Sequence, residues 1–331
     1  MFRVEEIHTQ VTDKIVSQGV SELVRIYPLD DIDETGLPET WNFNGTCMPK
    51  IYANRAKEYA NFKVREDDIW VVTYPKCGTT WTQEMTWMIV NDMDFNKSNS
   101  KDITERIIFF ELNGMVELES WDAFKALEEQ KSPRVIKTHL PISLLPRDIW
   151  KKKCKIIYVT RDPKDVVVSF FHHFIGMTPY TGTIEEFIEG FLTDQFIYCS
   201  FWYHVLEFWM IRKSENVLFI TFEDMKKDLR TVIDKTCLFL EKKYKEEEIS
   251  KLIDHLSFEK MKANPTCNNQ GLVKCLYGIL EREYKDETAF QFMRKGKVGG
   301  YKKELSLDYV QKINLKTREI FLPHGLNLYC R

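Results

Sequence analysis

At 331 residues, 44% of them hydrophobic, the chain can bury a large core and lies just past the size at which single cores stop growing. Its 47 basic and 50 acidic side chains leave a net charge of −3, which excludes a general electrostatic affinity for nucleic acid or anionic membrane and makes any anion site a local one. No stretch approaches the eighteen or so apolar residues of a membrane helix, Met1 to Glu6 lack the apolar core of a signal peptide, and the eight cysteines show no zinc spacing, so a cytoplasmic chain with reduced thiols is expected.

A single domain over 1–331 is expected, with residues 1–50 as an irregular N-terminal segment packed on it; Pro28, Gly36, Pro38, Gly45 and Pro49 punctuate its second half. The body then repeats short β-branched run, turn and helix. Strands are predicted at Ile69 to Tyr74, Arg134 to His139, Cys154 to Thr160 and Val217 to Phe222. Strands separated by helix-length segments imply an α/β fold, with a central parallel sheet flanked by helices on both faces. In such a sheet ligands collect at the carboxyl ends of the strands, and the polar clusters of this sequence lie there. The recurrence of Trp202, Val205, Leu206 and Trp209 at helical spacing marks a core stripe.

In the first cluster, Tyr74-Pro75-Lys76-Cys77-Gly78-Thr79-Thr80-Trp81, the proline ends a strand and the glycine permits a tight turn. Thr79 or Thr80 is expected to cap the helix through Trp81 to Val90. The amides of Cys77 to Thr80, with Lys76 beside them, then face one point as a phosphate cradle. It is not a Walker loop, because the lysine precedes the only glycine. An ordinary capped turn with a solvated lysine is the other reading of these residues.

The second cluster, Lys137-Thr138-His139-Leu140-Pro141, puts Lys137 and His139 on one side of a strand end. A histidine there can accept an alcohol's proton and a lysine can hold developing charge, although a lone histidine is more often a packing residue. In the third, Arg161-Asp162-Pro163, Asp162 suits N-cap and Pro163 the first helical position, with Arg161 protruding before them and Ser169 two turns on. An Arg–Asp surface pair is the plainer account. The fourth, Phe292 to Lys302, interleaves cations with Gly296, Gly299 and Gly300, as suits a lid that approaches an anion closely. Lys151 to Lys153 and Glu246 to Glu248 are assigned to solvent, and His172-His173 lacks a third metal ligand at suitable spacing.

Together these segments resemble the cytosolic sulfotransferase family, from Trp41 to Lys302 and in the family's order of motifs. The resemblance implies a P-loop-like nucleotide-binding fold and the donor 3′-phosphoadenosine-5′-phosphosulfate (PAPS, leaving PAP), with no metal. It makes Lys76, Cys77, Gly78, Thr79, Thr80 and Trp81 the 5′-phosphosulfate loop, with Trp81 against the adenine. Arg161, Ser169, Arg294, Lys295 and Gly296 become the 3′-phosphate site. Phe222, Leu256 and Phe258 fall at nucleotide-facing positions, the first two in place of a commoner tyrosine and threonine. His139 is implied as general base toward the acceptor's hydroxyl or amine, with Lys76 and Lys137 neutralising charge at the transferring group. Phe109, Leu112, Phe171, His173 and Phe174 are implied to line the pocket of a small lipophilic hydroxyl compound, a phenol, steroid or retinoid. Residues 302–311 echo the family's dimer motif, with Ser306-Leu307 and Gln311 as departures, and the resemblance implies a homodimer. Elimination from a sulfated allylic alcohol, and nucleotide binding with weak catalysis, are the alternatives.

Overall fold

The computed structural model describes residues 2–17, 21–28, 35–38, 45–118, 120–279, 281–285 and 289–330. Part of the N-terminal segment expected to be irregular is ordered sheet. Strands β1 (Phe2–Glu6), β2 (Leu23–Pro28) and β3 (Thr46–Pro49) pair antiparallel in that order, with Phe2 opposite Pro28 and Arg25 opposite Cys47. The two prolines sit at strand ends, where a missing donor is tolerated. Ile26, Cys47 and Met48 are fully buried, whereas β1 is almost wholly exposed and carries little apolar signal. Trp41, where the family resemblance begins, and the rest of 29–34 and 39–44 lie outside the described residues.

Downstream, each predicted run becomes a strand that stops at or just before its turn residue: β4 (Ile69–Thr73), β6 (Val135–Thr138), β7 (Lys155–Thr160) and β8 (Val217–Thr221). A two-residue strand, β5 (Ile108–Phe109), joins them at one edge. The order is β5-β6-β4-β7-β8 and every pair is parallel. Side chains alternate across such strands, and the core divides accordingly. Trp70, Val72, Ile136, Ile156 and Tyr158 enter one apolar cluster, while Ile69, Val71, Val135, Ile157 and Val159 enter another. The chain therefore buries both faces of the sheet, as parallel sheets require.

Trp202, Val205 and Leu206 of the helix Phe201–Met210 are fully buried, and Trp209 packs on the same cluster. Trp202 satisfies its indole N–H on Thr317 Oγ1 at 2.9 Å. At the amino end of the sheet, Arg134 grips Asp68 with two bonds of 2.7 and 2.5 Å, both side chains buried. This pair lies one residue before Ile69 and Val135, the first partners in the β4–β6 register. Among the described residues all eight cysteines are free thiols, and no helix is long and apolar enough to cross a membrane.

Candidate active site

The turn after β4 is built on two left-handed residues, Lys76 at φ 69° and Gly78 at φ 103°. Gly78 itself is the N-cap of the helix Thr79–Val90, so neither threonine serves as the expected side-chain cap. Thr79 instead pairs its hydroxyl with that of Thr73 at 2.7 Å, and Thr80 accepts from Asn269 Nδ2 at 3.4 Å. The turn needs glycine for space as well as conformation, because a Cβ on Gly78 would lie 2.8 Å from the Phe222 ring. Cys77 is fully buried, burial pushes its thiol well above the ordinary range, and its amide, expected in the cradle, donates to the Tyr74 carbonyl at 3.3 Å within the turn.

His139 follows β6 and is 8% exposed. Its Nδ1 lies 2.7 Å from the Thr73 carbonyl oxygen, which can only accept, so Nδ1 carries the proton and donates. The lone pair of the neutral ring is then on Nε2. Burial, followed by the charge of Lys137, holds the imidazole well below its usual range, against the Thr73 bond. The rings of Phe109 and Tyr198 stand edge-on to it at 5.4 and 5.6 Å. Lys137 Nζ sits 3.9 Å from the Phe109 centroid, which confirms that Lys137 and His139 share one side of the strand end.

Glu111 anchors this arrangement from β5's far end, and sequence reasoning missed it. Its carboxylate accepts from the His139 amide at 2.7 Å, from Thr138 Oγ1 at 2.7 Å and from Tyr198 OH at 3.1 Å. Burial drives the Glu111 carboxyl up and the Lys137 ammonium down. The available signal was an acid directly after the apolar run Ile107 to Phe110.

Lys76 reaches toward His139's neighbourhood from the turn. Its Nζ donates to His173 Nδ1 at 3.3 Å and lies 4.5 Å from the Phe292 centroid. Burial, then the charges of Lys137, Arg161 and Arg294, lower the ammonium to about 7. Arg161 leaves β7 9% exposed, with Nη1 on the Lys76 carbonyl at 3.3 Å and Nη2 on the Lys297 carbonyl at 2.8 Å. Its guanidinium lies 4.4 Å from the Phe222 centroid, and its buried Nε has no partner among the described residues. As expected, Asp162 caps the helix Pro163–Met177 by accepting from the Lys164 amide at 2.9 Å.

The basic segment 292–301 is stitched onto this helix start. Asp165 accepts from the Gly299 and Tyr301 amides at 2.6 and 3.0 Å. Gly296, at φ +55°, passes so close to Phe258 that a Cβ would lie 2.4 Å from its ring. Arg294 Nη1 and Lys295 Nζ both donate to Glu304 Oε1, at 3.0 and 2.8 Å, and His172 Nε2 meets Glu304 Oε2. Ser169 is half-buried on the same helix face as His172.

The remaining expected residues divide. Trp81 stands edge-on to Phe222 at 5.7 Å, beside Gly78. Leu256 is wholly buried in the apolar cluster with Met261. His173 packs edge-on to Phe292 at 5.3 Å, whereas Phe174 is interior, against Phe196 at 4.7 Å and Tyr180 at 5.4 Å. Phe171 packs on Phe187, and Leu112 is half-buried one residue past Glu111. Away from the strand ends, Glu84, His255 and Cys267 bring potential metal-ligand atoms within 4.8 Å of one another. Glu84 there is already bonded to Arg106 at 2.7 Å, His255 at 2.8 Å and Ser98 at 2.6 Å, so its oxygens are filled and its charge matched.

A parallel sheet with a phosphate-type turn, a buried neutral histidine and converging cations at one rim defines a group-transfer enzyme of the nucleotide-using kind. Residues 66–321 match the sulfotransferase domain, and the chain belongs to the sulfotransferase family. It is 38% identical over 275 residues to Sulfotransferase 1E1 of Rattus norvegicus, covering 81% of this chain and 90% of that one. It is also 38% identical over 289 residues to the luciferin sulfotransferase of Photinus pyralis, covering 83% and 77%. Among solved structures, retinol dehydratase in complex with androsterone and PAP is similar at a TM-score of 0.83 and 25% identity, covering 97% and 96%. Mouse sulfotransferase SULT7A1 complexed with PAP gives 0.64 and 27%, covering 87% and 94%. The protein is a sulfotransferase, an enzyme that moves a sulfuryl group to a small acceptor.

Proposed function

We propose that the protein transfers the sulfuryl group of PAPS to the hydroxyl of a small lipophilic acceptor, with His139 as general base. The observation that carries this reading is the Thr73–His139 contact of 2.7 Å, which leaves Nε2 unprotonated beside Lys137 and among aromatic rings. Two features of the chain suit a nucleotide with several phosphates. Glycines stand where any side chain would strike Phe222 or Phe258, and the charges acting on Lys76 are all positive.

Bound PAPS supplies an electrophilic sulfur with a phosphate leaving group. The amides of Gly78 to Thr80 and the Lys76 ammonium would hold the 5′-phosphosulfate, with Cys77 closing the turn through its bond to the Tyr74 carbonyl and Lys76 placed to neutralise charge on the leaving oxygen. Arg161, Ser169, Arg294, Lys295 and Gly296 hold the 3′-phosphate. Trp81, Phe222 and Phe258 offer apolar surface to the adenine, and Leu256 supports them from the core. His139 Nε2 takes the acceptor's proton while Lys137 holds the sulfuryl oxygens. Phe109, Leu112 and His173 face the acceptor, and Phe171 and Phe174 shape its wall from behind.

The test is to incubate the enzyme with sulfur-labelled PAPS, excess EDTA and a panel of phenols, steroids and retinol. Label moving into organic products despite chelator is the expected result; transfer that needs a divalent metal and ATP would overturn the reading. His139→Ala should lower turnover by at least ~10²-fold and leave PAP affinity within twofold, whereas Arg294→Ala should weaken PAP. The reverse pattern would exchange the assigned roles. Similarity to retinol dehydratase over 97% of the chain favours one second reading, that a sulfated allylic alcohol goes on to lose sulfate and a proton. Free sulfate with a dehydrated hydrocarbon product, instead of a stable ester, would establish it. A homodimer through 302–311 belongs to the main reading, on the echo of the family's dimer motif in that segment, where Leu307 is 81% exposed.

A further inference from the structure

Glu304 draws together side chains from two distant parts of the chain. Its Oε1 accepts Arg294 Nη1 at 3.0 Å and Lys295 Nζ at 2.8 Å, and its Oε2 meets the His172 ring. The side chain is only 20% exposed. Burial alone would raise this carboxyl, but the bonds from His172, Lys295 and Arg294 outweigh it and hold the group down to about 2. It is therefore an anion across the neutral range. An isolated surface ion pair would involve one cation and free rotation; here one carboxylate gathers three donors.

The position of the cluster gives it meaning. Arg294 and Lys295 are two of the groups assigned above to the 3′-phosphate, and His172 lies three residues beyond Ser169, on the same helix face. The segment bearing Glu304 is fixed on the start of that helix by Asp165, which accepts from Gly299 and Tyr301. Carboxylate and phosphate oxygens are interchangeable acceptors for a guanidinium fork or an ammonium.

We propose that Glu304 is an internal counter-anion of the 3′-phosphate site: it holds Arg294, Lys295 and His172 in place and competes with the nucleotide's 3′-phosphate for them. His172 thereby joins the site as a further donor beside Arg294 and Lys295, acting on the phosphate once the carboxylate yields. The inference rests on the reading of Arg294 and Lys295 as 3′-phosphate residues. Glu304 is a positioning residue in this account, since it touches the cations and not the transferring group.

Binding of PAP and of adenosine 5′-phosphate, which lacks the 3′-phosphate, measured by titration calorimetry separates the possibilities. Glu304→Gln should bind PAP roughly tenfold more tightly, with adenosine 5′-phosphate within twofold of the parent. Glu304→Ala should act in the same sense, and His172→Ala should weaken PAP severalfold while sparing adenosine 5′-phosphate. Circular dichroism and melting of each variant establish that it is folded. Unchanged or weaker PAP binding by both folded Glu304 variants overturns the inference, as does equal tightening of both nucleotides, which would mark a diffuse charge effect. Parent enzyme that binds the two nucleotides equally would overturn the 3′-phosphate assignment itself, and with it this inference.

Discussion

Lys76 takes a left-handed backbone angle, and burial together with Lys137, Arg161 and Arg294 lowers its ammonium to about 7. In the nucleotide-free enzyme the charge is thus present below pH 7 and lost as pH rises through it. A bound phosphate restores the charged form, so binding takes up a proton near and above neutrality. PAP affinity should fall as pH goes from 6 to 9, and calorimetry in buffers of different ionisation enthalpy should record proton uptake at pH 8; release would contradict the assignment. His139 stays neutral across this range, because its imidazole is held well below its usual value. Residues of this kind were legible where a strand end, a proline and a polar side chain coincide, as at Lys76, Lys137 and His139. Glu111 and Tyr198 were not. Their partners lie 27 and 87 residues away, and only the folded sheet brings them together.

Among the elements, the helix Thr79–Val90 carries both the turn proposed to hold phosphate at its start and a buried ionic knot on its flank. Glu84 is held down to about 2 by His255, Arg106 and Ser98, against its burial. A depressed carboxyl stabilises the fold above its unfolded value and loses that contribution as pH falls toward 2. Glu84→Gln leaves Arg106 buried beside a neutral amide and should cost about 3–5 kcal/mol in urea unfolding at pH 7. A variant as stable as the parent would mean the knot is relieved by water. At this scale the four longer parallel strands were readable because β-branched runs alternate with helical spacing. β5 has two residues and no pattern of its own, and β1 exposes nearly all its side chains. The Gly78 cap was misassigned to threonine because the demand for a left-handed turn outweighed the hydroxyl's ordinary preference.

On the scale of the whole molecule, the clusters at Lys76, His139 and Arg161 follow the carboxyl ends of β4, β6 and β7, while the basic segment from 292 is a loop held on the next helix by Asp165, so the alignment of the first three depends on how those strands are staggered. The Asp68–Arg134 pair joins β4 and β6 immediately before their first partners, at the edge opposite the site. Five residues of strand rise put His139 about 16 Å from Arg134. Asp68→Asn should lower kcat well below the melting transition while PAP affinity changes little, since the turn bearing Lys76 is intact and only its alignment with β6 loosens. An unaltered kcat in a stable variant would show that the hydrogen bonds of the sheet suffice. The two side chains behave as a hinge pin set in the floor beneath a doorway: neither comes near the reactants, yet a loss of turnover traced to position 68 or 134 reports a mis-hung frame and says nothing about the latch.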